Sequence, residues 1–404
     1  MSNIKKYVIY TAIYNLAFMF CSGAIIQTFL LQVGLSEHQV YIFNSLTQMA
    51  QVAMMIVMTF LSNKIRQVKL VTGISYLSLS ILTIVFLCGA LNSAVFGNAY
   101  VIILFITASI CYIGVGLYSI LSYILPYYVI NMEEYGKMTG IGVLASGGIS
   151  FAFSFIHTFA VAKFDYMQAM AWFFVLAIIC YVLTTIICLS MKEIEKQDGE
   201  TKTTKDDMIA VFRNRNTYIL LLPNFARGLA AGIMGVITVI AISSSILNER
   251  TSSYVNIVMQ IAMFAGNALY VATYKKLSSN FLLLISTIGC CVFFPICISG
   301  GLVWFLVLFF IAYFFRMIID TAIPVIVTEI IPQNQIGAYT SIRMLVFTGA
   351  QAVATLIITP LVGVIGYVGL LIFASIMQFV CGIVYYIVAK NEKRANINQA
   401  SVSC

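Results

Sequence analysis

The sequence predicts an all-α membrane protein with 12 transmembrane helices in two six-helix bundles. Three observations lead to this prediction: the number of long apolar stretches, the distribution of basic residues, and a weak internal repeat. A helix needs about 20 apolar residues, each rising about 1.5 Å, to cross roughly 30 Å of hydrocarbon. Twelve separable stretches of the chain meet this requirement. These predicted spans are 7–33, 38–61, 70–91, 100–125, 138–161, 167–190, 217–243, 253–274, 280–298, 302–327, 338–361 and 367–389.

The composition agrees with a membrane protein. Hydrophobic residues make up 61% of the chain and charged residues 9%, whereas about a quarter of the residues of a soluble domain are charged. The net charge of +8 is explained by the placement of basic residues around the spans, so it does not indicate a nucleic-acid partner.

The basic residues also predict the orientation. If the N-terminus is cytoplasmic, all but four of the 22 Lys and Arg residues fall in or beside inner segments. Lys163 and Arg250 fall in outer loops, and Arg227 and Arg316 lie within spans. Because inner loops of membrane proteins are enriched in Lys and Arg, both termini are expected in the cytoplasm. The protein is expected to be a multi-pass protein of the cytoplasmic membrane.

One long polar stretch divides the chain. Residues 191–216 are rich in Lys, Glu, Asp and Thr, as in a cytoplasmic linker. We therefore predict an N-terminal bundle over 1–190, a linker over 191–216, a C-terminal bundle over 217–389 and a cytoplasmic tail over 390–404.

The two predicted bundles share a weak repeat. Similar residues recur in corresponding spans at nearly constant offsets, which favours a duplicated six-helix unit. The matching positions are Asn15, Ala17 and Gly23 with Asn224, Ala226 and Gly232; Asn44, Gln48 and Ala50 with Asn256, Gln260 and Ala262; and Pro126 with Pro324.

With this repeat, its central loop and its length, the chain resembles the major facilitator superfamily over nearly its full length. The glycine-containing starts of spans five and eleven, Tyr135–Gly140 and Gln335–Tyr339, add to the resemblance. The loop Leu61–Lys69 is basic, as in the family's signature between helices two and three, but lacks its acid and glycine. The resemblance implies that helices one, four, seven and ten line a transport path, and it assigns no subfamily.

The residues exclude several other classes. The chain has no complete phosphate-binding loop, only two histidines and no Cys-x-x-Cys pair. We therefore expect no enzyme activity, no cofactor and no metal. The expected function is secondary active transport of a small organic solute, preferably an anion, coupled to an ion gradient. A multidrug or lipid-like exporter with a largely apolar cavity is the alternative, and a transporter-like sensor without flux is a third class.

The charged residues inside spans give the sharpest hypotheses. Arg227 lies about 10 residues into span seven, or roughly 15 Å deep, and Arg316 lies near the middle of span ten. An intramembrane Arg keeps its charge and needs a partner. We predict that both bind an anionic substrate group and that Asp320, at i+4 from Arg316, is the ion-coupling site. The alternative is a structural pair of Asp320 with either arginine.

Other candidate substrate-binding residues are polar or aromatic and lie in the spans expected to line or support the path. Hydrogen bonds between helices explain Gln48 and Gln260 slightly better than substrate contact does, whereas Asn15 and Asn224 are the better cavity candidates. The tyrosines are also explained as interfacial residues. We predict a cytoplasmic gate from Glu329 and Arg343, with lipid-phosphate contact as the alternative for Arg343. The expected partners are a small-molecule substrate and membrane lipids, and the expected state is a monomer. The candidates are Asn15, Asn224, Tyr14, Tyr112, Tyr313, Gln48 and Gln260.

Overall fold

A computed structural model describes residues 2–61, 67–129, 132–192, 215–273, 276–331 and 336–402. These residues form helices and connecting segments, with no β-strand among them, which confirms the all-helical prediction. The helices are α1 Asn3–Phe20, α2 Gly23–Gln32, α3 Glu37–Leu61, α4 Val68–Val129, α5 Met132–Lys163, α6 Tyr166–Leu189, α7 Arg215–Gly235, α8 Ile237–Ser243, α9 Ser253–Thr273, α10 Ser279–Ile296, α11 Leu302–Ile330 and α12 Ile336–Val402.

The number of helices that are apolar enough to span a membrane is close to the twelve spans predicted from the sequence. In the described ranges, 10 helices are long and apolar enough to cross a membrane. The pair α7 and α8, bent by 44°, forms an eleventh candidate. The helix α12 is broken at Gly366, whose φ of 67° and ψ of 178° are not helical, so its length divides into the two spans predicted from the sequence. The described chain thus carries ten to twelve apolar helices.

The helix α4 contains two antiparallel spans. The hydroxyl of Ser78 donates to the carbonyl of Cys111 at 3.2 Å. These residues would be about 50 Å apart in one straight helix, at 1.5 Å per residue. The chain therefore folds back within α4, and the two arms correspond to predicted spans three and four.

The chain divides into two compact units. Unit 1 contains Met1–Glu200 and Val236–Gln260, and unit 2 contains Thr201–Gly235 and Ile261–Cys404. Residues Val236–Gln260 join unit 1, where α8 packs on α2. The division of the sequence into two six-helix bundles at 1–190 and 217–389 remains a prediction.

Within each unit the same kinds of helix pairs are in contact. In unit 1, α1 packs on α5 and α6, and α4 packs on α3 and α6. In unit 2, α7 packs on α12, and α10 packs on α11 and α12. In unit 1, α1 thus contacts the helices of predicted spans five and six. In unit 2, α7 contacts α12, which contains predicted spans eleven and twelve, as expected for copies of one folding motif.

Close packing of α7 on α12 depends on glycine. A methyl group at Gly228 would clash with the backbone carbonyl of Phe347 and would lie 2.6 Å from Cβ of Ala350. One turn further along, a methyl group at Gly232 would lie 2.7 Å from Cβ of Ala354. Small residues let membrane helices approach closely, so α7 and α12 are held backbone to backbone.

We expect Gly228→Ala to lower the free energy of unfolding by about 1–3 kcal/mol, because the added methyl group overpacks this contact. The measurement is thermal denaturation of the purified protein in detergent. Gly349→Ala is the matched control, since no atom of the structure lies within 4 Å of a methyl group placed there. Equal melting temperatures for the two variants would contradict the proposed tight contact.

Candidate functional site

The predicted charged residues of α7 and α11 meet in unit 2. The guanidinium of Arg227 forms an ion pair with the carboxylate of Asp320. Nε of Arg316 lies 3.7 Å from the other oxygen of Asp320, one helical turn away on α11. The side chains of Arg227, Arg316 and Asp320 are 14%, 15% and 28% exposed. One carboxylate is therefore shared by two arginines, and both of the pairings considered from the sequence are present.

Aromatic rings hold the two guanidinium groups. Cζ of Arg227 lies 4.9 Å from the ring centroid of Phe347, and Cζ of Arg316 lies 5.4 Å from that of Tyr313. A guanidinium is attracted to the face of an aromatic ring, most strongly where water is scarce. Tyr313, predicted to contact substrate, thus orients Arg316.

A third arginine, Arg343 of α12, lies near this pair. Nε and Nη1 of Arg343 are buried and have no hydrogen-bond partner among the described residues. Phe347, one turn from Arg343 on α12, is the ring that contacts Arg227, so Arg343 lies near the ion pair. The sequence interpretation assigned Arg343 to a gate with Glu329, and the side chain of Glu329 lies outside the described residues.

Asn224 belongs to a hydrogen-bonded group of helices α7 and α12. Its amide nitrogen donates to the carbonyl of Leu220 at 2.7 Å, to the hydroxyl of Tyr385 at 2.6 Å and to that of Tyr339 at 3.3 Å. Asn224 is fully buried. The amide nitrogen thus takes part in helix packing, whereas Oδ1 of Asn224 is buried and has no hydrogen-bond partner among the described residues, so the substrate role of Asn224 stays a prediction. Neither tyrosine was among the sequence candidates, because these hydrogen bonds join residues far apart in the sequence.

The equivalent region of unit 1 is aromatic. Tyr14 is buried, and its ring centroid lies 4.6 Å from that of Tyr118, 5.0 Å from that of Tyr76 and 6.1 Å from that of Tyr181. We call these four residues the tyrosine cluster. Tyr14, predicted to contact substrate, is the member that touches all the others.

The repeat connects this cluster with the charged residues of unit 2. The spacing that relates Asn15 to Asn224 places Phe18 opposite Arg227. The spacing that relates Pro126 to Pro324 places Tyr118 opposite Arg316. If the predicted repeat holds, the two arginines correspond to aromatic residues in unit 1, and Asp320 corresponds to Ser122.

The remaining predicted residues are partly buried. Asn15 and Tyr112 have intermediate exposure in unit 1. The Oε1 atoms of Gln48 and Gln260 are buried and have no hydrogen-bond partner among the described residues. Both glutamines therefore keep an acceptor that a ligand would be able to use.

The neighbours of these glutamines bond between helices. Nε2 of Gln51 donates to Oγ of Ser119 at 2.9 Å, and Nδ2 of Asn256 donates to Oγ of Ser154 at 2.8 Å. Hydrogen bonds between helices thus engage some of the amide side chains of α3 and α9. Among the described residues, no group of three His, Cys, Asp or Glu side chains is arranged to hold a metal ion.

The fold was compared with known proteins. No protein-family model and no curated protein matches the sequence. Solved structures of three transporters match nearly the whole chain. The nucleoside transporter NupG has a TM-score of 0.67 at 12% identity, covering 96% of this chain and 99% of that one. A D-xylose-proton symporter has a TM-score of 0.71 at 15% identity, with coverages of 95% and 97%.

The third structure is the Escherichia coli fucose:proton symporter FucP, with a TM-score of 0.61 at 13% identity and coverages of 97% and 99%. All three neighbours are named as transporters, and none is named as an enzyme. Together with ten or more apolar helices, they indicate a multi-pass membrane protein. The chain shares the fold of these transporters.

Proposed function

We propose that this protein is a secondary active transporter that moves a small organic anion across the cytoplasmic membrane by alternating access. Two six-helix bundles, with both termini in the cytoplasm, would form the two halves of the transporter. The observation that carries the proposal is the sharing of Asp320 between Arg227 and Arg316, which lie within the apolar helices α7 and α11.

The charge balance of this group favours an anion. Arginine keeps its charge even when it is buried, and an uncompensated charge within a membrane is costly. Two guanidiniums and one carboxylate leave one positive charge. A carboxylate or phosphate on the substrate would offset that charge, and a guanidinium fork would bind it with two parallel hydrogen bonds.

The position of Asp320 would couple substrate binding to its own protonation. In the structure it accepts a hydrogen bond from Nη2 of Arg227, one of the donors that an anionic substrate would use. Protonation of Asp320, or its movement toward Arg316, would release those donors. Substrate binding and the charge of Asp320 are then linked, because each competes for the same guanidinium. The proton symport named for two of the structural neighbours supports a gradient-driven mechanism.

A multidrug or lipid-like exporter is the second candidate. It is favoured by the aromatic side chains of the tyrosine cluster and by the presence of Asp320 as the single described carboxylate of unit 2. Cationic drugs require negative charge in a cavity, whereas this site is positive. The anion transporter therefore accounts for more of the charged residues.

The test is uptake into proteoliposomes that contain the purified full-length protein. Radiolabelled carboxylates, sugar phosphates, neutral sugars, nucleosides and a cationic dye are offered with and without an inward proton gradient. We expect uptake of an anion, with accumulation above equilibrium only when a gradient is present. Transport of the dye or of neutral solutes without any anion would contradict the proposal and favour the exporter.

A further inference from the structure

The buried guanidinium of Arg343 is explained neither by the Arg227–Asp320 ion pair nor by the packing of the helices. Its Nε and Nη1 atoms are buried and unpartnered among the described residues. A buried donor without an acceptor costs free energy, and the cost is greater for a charged group. Such a group is retained where an acceptor arrives from outside the protein, as in a binding site.

The surroundings of Arg343 belong to the charged group already described. Phe347, one turn along the same face of α12, supplies the ring that lies 4.9 Å from Cζ of Arg227. Because Phe347 contacts Arg227 and lies one turn from Arg343, Arg343 is near Arg227 in the packing of α12 on α7.

The site that includes Arg343 carries more positive than negative charges. Among the described side chains within the helices of unit 2, three guanidiniums of Arg227, Arg316 and Arg343 accompany one carboxylate, Asp320. Glu329, whose side chain is outside the described residues, follows Asp320 by nine positions, about 14 Å along an ideal helix. Two positive charges remain to be offset.

We infer that Arg343 is a third substrate-binding arginine and that the substrate carries two negative charges, as in a dicarboxylate or a phosphate monoester. This inference rests on the proposed transport function and specifies its substrate class. Arg227 and Arg316 hold one anionic charge with Asp320 as competitor, and Arg343 binds the second charge with its unpartnered Nε and Nη1 donors. Nε–H and the N–H groups of Nη1 point in different directions in the guanidinium plane, so each would donate a separate hydrogen bond to an anionic oxygen.

The test measures binding of four probes to the full-length protein in nanodiscs by isothermal titration calorimetry: succinate, glycerol 3-phosphate, lactate and glycerol. We expect wild type to bind at least one of the two dianions about tenfold or more tightly than lactate, and not to bind glycerol. Arg343→Gln should weaken dianion binding by about thirtyfold, which corresponds to about 2 kcal/mol, and change lactate binding by less than about threefold. Arg250→Gln, at an exposed loop position, is the control and should match wild type.

The outcomes separate this inference from the function on which it rests. Equal affinities for lactate and the dianions, or an Arg343→Gln variant that binds like wild type, would overturn the inference while anion transport stands. A lower melting temperature of ligand-free Arg343→Gln with unchanged affinities would mean that Arg343 is structural and also overturns it. If no anion binds to wild type, the charge-balance argument and the proposed anion site fail together.

Discussion

Arg227→Ala is expected to abolish uptake of the anion identified in the proteoliposome assay. The substitution removes the guanidinium that pairs with Asp320 and packs on Phe347. Truncating one partner of a desolvated, hydrogen-bonded charge pair costs about 2–5 kcal/mol, or some tens- to thousands-fold in affinity. The measurements are initial uptake rates and the dissociation constant of the same anion.

Two further variants define the cause of this loss. Arg227→Lys should recover only part of the binding, because a point charge does not reproduce a bidentate fork. Arg250→Ala changes an exposed arginine of a connecting segment and should transport like wild type. If Arg227→Ala transports normally, the arginine has a structural role, and the exporter becomes the better proposal.

The fold was accessible from the sequence because each membrane span must satisfy its backbone hydrogen bonds internally. That requirement produces long apolar stretches that can be counted without knowledge of tertiary contacts. The bend between α7 and α8 was not predicted, because the chain stays apolar across Val236 and no proline marks the break. The break at Gly366, by contrast, falls in the predicted connection between spans 338–361 and 367–389, although a hydropathy pattern does not record its positive φ.

Part of the charged site could be predicted from the sequence. Arg227, Arg316 and Asp320 were found because charges within spans are rare and therefore informative. Arg343 was placed with the inner loops because it lies near a span's end, and only the packing of α12 on α7 brings it beside Arg227. The hydrogen bonds of Asn224 with Tyr385 depend on contacts between residues far apart in sequence, and no local pattern contains them.

The amide side chains of α3 also show that contacts between helices are not predictable from a local sequence pattern. Gln48 and Gln51 lie on one face of α3, but Gln51 bonds to Ser119 whereas Oε1 of Gln48 has no hydrogen-bond partner among the described residues. Periodicity identifies the face, and the position of the neighbouring helix decides which side chain on it is engaged. The substrate roles of Gln48 and Gln260 therefore remain predictions.

Asp320→Ala is expected to destabilise the protein more than any other single change within the charged site. It leaves Arg227 and Arg316, 14% and 15% exposed, without their carboxylate. Removing one partner of a buried ion pair typically costs about 3–5 kcal/mol, because the remaining charge is desolvated and uncompensated. We expect low yield and a clearly reduced melting temperature in detergent, measured by size-exclusion chromatography and thermal denaturation.

A double variant distinguishes charge from packing. Asp320→Ala combined with Arg227→Ala removes the two partners together and should recover most of the lost stability, since replacing both members of a buried pair is far less costly than removing one. The same double variant should remain inactive in anion uptake, because the guanidinium that binds substrate is gone. Asp320→Asn keeps the size of the side chain but not its charge, so it should resemble Asp320→Ala in stability if charge is the cause. Stability of Asp320→Asn equal to wild type would mean that hydrogen bonding alone holds Arg227, and Asp320 would then be free to change its protonation during transport.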